Sequence, residues 1–264
     1  MDTIILARDG AIATITLNRP KALNALDQTM TIELSAVTSL VEADADIRCV
    51  IVQGAGDHFM AGGDIKHFHR DLEQPPEQRK LGFERMIAEV HATIMRLRRM
   101  PRPVIASVRG AAAGFGFSLM SACDLVIAAD NSYFTLAYCH IGTSPDGGST
   151  YALPRVVGTK QAMEIALLGD RFDARRALEL GIVNRVVPLA DLEMETRKLA
   201  VRLAQGPTAV YGRTKRLINE SLNRSLTEQL QAEQDNFAAS AASPDFAEGV
   251  RAFVDKRKPN FNGR

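Results

Sequence analysis

The chain has 264 residues, of which 46% are hydrophobic and 24% charged, and its formal net charge is +1. This length suits one large domain with a sizeable core, or one domain with a small appendage. The near-neutral balance excludes a strong electrostatic footprint for nucleic acid, which needs a basic face or tail.

In chain order, "TIILARDGAIATITLNRP" alternates around Asp9-Gly10 and predicts a hairpin of two short strands. "KALNALD" is a loop, and "QTMTIELSAVTSLVEAD" carries apolar residues at helical spacing. "IRCVIVQGAG" reads as a buried strand and "DHFMAGGDIKHF" as a glycine-containing turn. Residues 77–99 read as a long helix with Ile87, Val90, Ile94 and Leu97 on one stripe, stopped by "MPRP". "VIASVRG" is another buried strand, "AAAGFGFSLMSA" a glycine turn opening into a helix, and "CDLVIAAD" a strand again. This alternation predicts an α/β core with crossover connections. After residue 150 the chain is mostly helical, with one short strand at "VNRVVP" and then three or four amphipathic helices.

Cys49, Cys123 and Cys139 form no CxxC pair, which suits buried thiols in a reducing compartment. The start has no basic n-region or apolar h-region, and no apolar run reaches the ~18 residues of a spanning helix. The expectation is a cytoplasmic protein with no membrane or nucleic-acid partner. His67-x-His69 is too sparse for a metal site without further ligands. The basic cluster "RLRRMPR" (96–102) is either a solvated helix end or a contact for an anionic ligand.

Two strand-to-turn junctions share a design: "FMAGGDIK" with Gly62 and Gly63, and "GAAAGFGFS" with Gly114 and Gly116. A turn opening into a helix points unpaired N–H groups outward. Two such groups aimed at one oxygen stabilise a developing oxyanion. Other uses fail. Leu119 stands where a dinucleotide fingerprint needs its third glycine, and Met120 where a hydrolase elbow needs its closing glycine.

On "LNRPKALNALD", "FMAGGDIK", "PRPVIASVRGAAAGFGFSLMSACDLVIAAD", "IGTSPDGGSTYALPRVVG" and "GVRAFVDKRKPNF", the chain resembles the crotonase (enoyl-CoA hydratase/isomerase) superfamily over essentially its whole length. The resemblance implies the α/β crotonase fold, a spiral of ββα units over residues 1–200 with a helical trimerisation region over 201–264. It implies an acyl-CoA thioester substrate, no cofactor beyond the coenzyme A that the substrate carries, and a homotrimer or a hexamer of paired trimers. Gly63 and Gly116 match the oxyanion-hole positions. Ala61, Gly62, Asp64, Ile65 and Lys66 match the backbone that cradles coenzyme A, and Lys21, Ala22 and Leu23 match a further lining loop. Phe253 and Lys256 match residues that approach coenzyme A from a neighbouring subunit.

The family's hydratases carry two glutamates, and here those positions hold Ser118 and Tyr138. Neither side chain titrates near neutral pH, so neither suits general base work. Asp146 is the carboxylate left in the matching loops. By itself, an aspartate between Pro145 and two glycines reads equally as a turn or helix-cap residue. By resemblance, it matches the acid/base aspartate of dienoyl-CoA and epoxyphenylacetyl-CoA isomerases. It also matches the nucleophile of 4-chlorobenzoyl-CoA dehalogenases, which pair it with a histidine at the position of His91 and a tryptophan at that of Tyr138. His91 lies beside the Ile87/Ile94 stripe and is either a partly buried structural histidine or a catalytic one. The expected reaction is double-bond isomerisation of an enoyl-CoA with Asp146 as acid/base, with partial burial raising its pKa. The alternatives are hydration of an enoyl-CoA, dehalogenase-like hydrolysis through Asp146 and His91, and a non-catalytic acyl-CoA binder.

Overall fold

The computed structural model describes residues 1–264. The hairpin forms as predicted: β1 (Ile4–Asp9) pairs antiparallel with β2 (Ile12–Leu17), and Gly10 takes the positive φ the turn demands. Asp27 then caps α1 (Gln28–Ala43) by accepting from the Met30 amide at 2.9 Å. β3 (Cys49–Gly54) follows. Where a simple turn was expected over 57–68, the chain turns and then starts a short helix, α2 (Ile65–Asp71), because Asp64 caps it. The long α3 (Pro76–Arg99) buries Val90, Ile94 and Leu97 as the stripe requires, while His91 is exposed rather than partly buried.

Three strand–strand–helix steps build the core. β3 leads through a bridge at Met60 to α2 and α3. β4 (Val104–Val108) leads to β5 (Ala111–Ala113) and α4 (Phe115–Ser121). β6 (Leu125–Ala129) leads to β7 (Tyr133–Thr135) and α5 (Ser149–Leu168), which breaks at Gly158. The first strand of each step joins a six-stranded sheet of order β1-β2-β3-β4-β6-β9, parallel from β2 onward. The second strands of the last two steps form a small sheet with β8 (Phe172–Asp173), and β9 (Arg185–Val187) follows the short α6 (Ala174–Glu179). The small sheet was not apparent in the sequence, since β5 is three alanines and β8 two residues.

Alternation on the large sheet explains why its strands read as unbroken apolar runs. One face, with Ile15, Val50, Val52, Val104 and Ala106, packs on α1 and α3. The other, with Ile51, Ile105 and Ile127, packs on Leu192, Leu199 and Ala200 of α7 (Leu192–Ala204). Thus α7 covers the core. The helices that follow, α8 (Thr208–Ser221), α9 (Leu226–Ala241) and α10 (Pro244–Val254), leave Leu222, Phe237, Phe253 and Val254 exposed. Lys215 ties α8 to the core, 2.8 Å from the Asp124 carboxylate and from the Leu97 carbonyl oxygen. The three thiols are free. Cys49 is buried and Cys123 half-buried, but Cys139 is exposed, contrary to expectation. No helix is long and apolar enough to cross a membrane.

Candidate active site

The two glycine turns meet. A Cβ on Gly114 would lie 3.5 Å from the Gly62 Cα, in ordinary contact, and Gly114 takes a positive φ; one on Gly116 would lie 2.2 Å from the Met60 carbonyl oxygen, so there backbone occupies the space a side chain needs. Gly116 is the second residue of α4, whose capping Gly114 offers no side-chain acceptor. The Gly63 and Gly116 amides therefore donate to no acceptor within the chain. The Phe68 ring lies against Gly63 and packs edge-to-face on Phe83 at 4.9 Å.

The two stretches expected to line coenzyme A lie side by side. The Ala61 amide donates to the Leu23 carbonyl, the Leu26 amide to that of Gly62, and the Asp64 amide to that of Leu26. These bonds place Lys21, Ala22 and Leu23 beside the 61–65 strip. Two anchors were missed in the sequence. Buried Asn24 accepts from the Arg19 amide and donates to the Ala55 and His58 carbonyls. Arg19 lies 2.8 Å from the Asp64 carboxylate and 3.1 Å from that of Asp27. The signal was the αL turn at Leu23-Asn24, where asparagine is the ordinary polar choice. The Asp64 side chain is thus spent on the Arg19 pair and the α2 cap, and Lys66 and Ile65 are exposed on α2. Phe253 and Lys256 lie on or just after α10, and within one chain Phe253 lines a separate pocket between α8, α9 and α10.

Asp146 does not cap α5; that position is Gly148, with no side-chain hydrogen bond. Its loop is fastened to α4 instead. Ser118 Oγ donates to the Asp146 carbonyl at 2.8 Å, and a Cβ on Gly147 would strike Ser118 and the Phe115 ring. Tyr138 Oη donates to Asp146 Oδ1 at 2.5 Å and stands 3.4 Å from Ser118 Oγ. The two positions that lack glutamates therefore both hold Asp146. Pro145 is half-buried beside it. Burial pushes the Asp146 carboxyl above the usual carboxylate range, against the smaller lowering by the Tyr138 hydrogen bond and by the nearby His91. Burial and the Asp146 charge raise the Tyr138 phenol, so it stays a donor. His91 Nε2 accepts from the Gly147 amide at 3.4 Å, so α3 reaches the loop without touching the carboxylate.

One helix thus carries an unpaired amide and, half a turn on, the hydroxyl that fixes a partly buried carboxylate. Turns of strand, strand and helix around abutting glycine turns define the class: an α/β enzyme of the crotonase fold. The chain belongs to the enoyl-CoA hydratase/isomerase family, whose model matches residues 7–264. It is 38% identical over 264 residues to the 1,2-epoxyphenylacetyl-CoA isomerase of Escherichia coli K12, covering 100% of both chains. It is 35% identical over 262 residues to the crotonyl-CoA hydratase of Syntrophomonas wolfei, covering 98% of each. An enoyl-CoA hydratase structure from Polaromonas sp. JS666 superposes with a TM-score of 0.92 at 34% identity, over 98% of this chain and 99% of the other.

Proposed function

We propose that the protein is an acyl-CoA isomerase in which Asp146 moves a proton between two carbons of an enoyl thioester. The observation that carries this is the Asp146 environment: a partly buried carboxyl, raised in pKa, held by Ser118 and Tyr138 where a hydratase has its two glutamates. The thioester oxygen takes hydrogen bonds from the Gly63 and Gly116 amides. Asp146 removes the α-proton, and the C–H electron pair moves into the enolate whose charge those donors face. The proton returns at the γ-carbon, and the double bond shifts from β,γ to α,β. Losing one donor of this kind costs about 3 kcal/mol of barrier. The step balances without a redox agent. The 21–23 loop and the 61–65 strip supply the coenzyme A groove.

Assembly of copies belongs to the same reading, supported by the exposed apolar side chains of α8 to α10. Sedimentation velocity tests it.

The test of the reaction is a panel of 3-enoyl, 2-enoyl, dienoyl and aromatic acyl-CoA thioesters, followed by ultraviolet absorbance and mass spectrometry. The expected product has the mass of its substrate, and Asp146→Asn does not form it. Addition of water, or release of halide from a chlorobenzoyl thioester, would replace this reading with a hydratase or dehalogenase one.

A further inference from the structure

Beyond the Asp146 loop lies an open cleft of 1080 Å³ between α3, α4, the start of α5 and α8. Its inner end is formed by His91, Ser118 and Gly147, the residues that fasten or flank Asp146. From there it follows α3 and α4 away from Gly116. His91 and Arg98 are both in the lining, separated by about 10 Å of helix. The middle is apolar, with Ile94, Met95, Ala122 and Ala152.

The far end is cationic. Arg98, Arg99, Arg213 and Arg216 line it, and none of them is in an ion pair. Arg98 donates to the Asn219 side-chain oxygen at 2.8 Å, within the cleft. The Arg213 and Arg216 guanidinium groups turn instead to α9, to the Ser240 hydroxyl at 3.3 Å and Asn236 at 3.1 Å, which leaves Arg98 and Arg99 as the cationic end of the cleft. The remaining charged groups are neutralised: Lys215 is paired with Asp124, and Glu220 with Arg224. The "RLRRMPR" cluster divides accordingly. Arg96 pairs with Glu42, and Arg102 is buried against the Val41 and Glu42 carbonyls. Arg98 and Arg99 face the cleft. Arg98 also stands 5.4 Å from the centre of the Tyr151 ring, which fixes its direction.

We propose that this cleft takes the distal end of the acyl group, and that the acyl group ends in a carboxylate. A polar inner end at Ser118 and Gly147, next to Asp146, an apolar middle and the unpaired guanidinium groups of Arg98 and Arg99 match a chain with an anionic terminus. This rests on the reading that the acyl group lies at Asp146, and it names the substrate class within it.

Thioether analogues of acyl-CoA, which cannot be turned over, test it by calorimetric titration. Two analogues of equal chain length are compared, one ending in methyl and one in carboxylate. The wild type binds the carboxylate analogue about tenfold more tightly, since a charge-assisted pair is worth that much. The preference shrinks as salt is raised. Arg98→Gln with Arg99→Gln abolishes the preference and leaves the methyl analogue's affinity unchanged. Arg155→Gln removes a cation that lies 3.5 Å from the Tyr151 ring but outside the cleft, and it leaves the preference intact. Equal affinity for the two analogues overturns the proposal, as does a preference that survives the double substitution. A wild type that binds both analogues alike, together with a double variant whose sedimentation shifts, also overturns it and identifies the cleft as a contact between copies. Because the analogues do not react, a failed proton-transfer assay at Asp146 leaves this result standing, and the reverse holds equally.

Discussion

Asp64 and Asp146 each adjoin a pair of glycines at a turn, and the fold treats them oppositely. Burial alone raises both carboxyls. At Asp64 it is outweighed by the Arg19 guanidinium and by the Lys66 and His67 amides, so the pKa falls. At Asp146 there is no cation in contact. Burial outweighs one phenol hydrogen bond and the more distant His91, and the pKa rises. The first environment makes a fixed anion that holds the start of α2 to the Arg19 loop. The second makes a group able to give up and take back a proton.

The largest expected effect separates the two by chemistry. Under the proposed isomerase reaction, Asp146→Asn lowers kcat by about 10²–10⁴, the usual share of a general acid/base, while the affinity for acyl-CoA stays near wild type. Asp64→Asn keeps the chemistry and weakens the fold by about 1–3 kcal/mol in urea denaturation, because Arg19 loses a partner and α2 its anionic cap. A collapse of kcat at unchanged stability in the Asp64 variant would break the contrast.

The pH dependence of stability sharpens it. Asp146 holds its proton more tightly folded than unfolded, so its contribution is present at low pH. That contribution is lost as pH rises from about 3.9 through the raised native value. Asp64 has the opposite sign: its contribution is present above about 3.9 and is lost as pH falls through the lowered native value. Asp146→Asn is therefore more stable than wild type at neutral pH and equal to it below about pH 4. Thermal melts across this range check both signs.

Smaller effects follow from the groups that hold Asp146. Tyr138→Phe removes a hydrogen bond that favours the carboxylate, so the acidic limb of the kcat/KM profile moves to higher pH. Ser118→Ala frees one carbonyl and costs about 0.5–1.5 kcal/mol of stability, with the limb unmoved.

Much of this was legible in the sequence, for identifiable reasons. The hairpin, α1 and α3 have strong periods, β3 and β4 are unbroken apolar runs, and the structure matches them. The glycine turns were legible because glycine alone allows such close backbone approach, as Gly116 against Met60 illustrates. The small sheet was not legible, since strands of two and three residues carry no period. Nor was the use of Asp64, because its partner Arg19 is distant in sequence and brought near only by the loop that Asn24 fastens. Of the two readings of His91, the partly buried structural one fails because position 91 adjoins the apolar stripe yet falls just outside it on the helix. The opposite pKa shifts of two similar Asp-Gly turns are tertiary properties that no local pattern encodes.

The most direct measurement of the central claim is solvent exchange of the substrate's α-proton. In deuterium oxide, the wild type should wash deuterium into the α-position of a saturated acyl-CoA, read by mass spectrometry, and Asp146→Asn should bind the same thioester and incorporate none. Incorporation at the wild-type rate by Asp146→Asn would contradict the account.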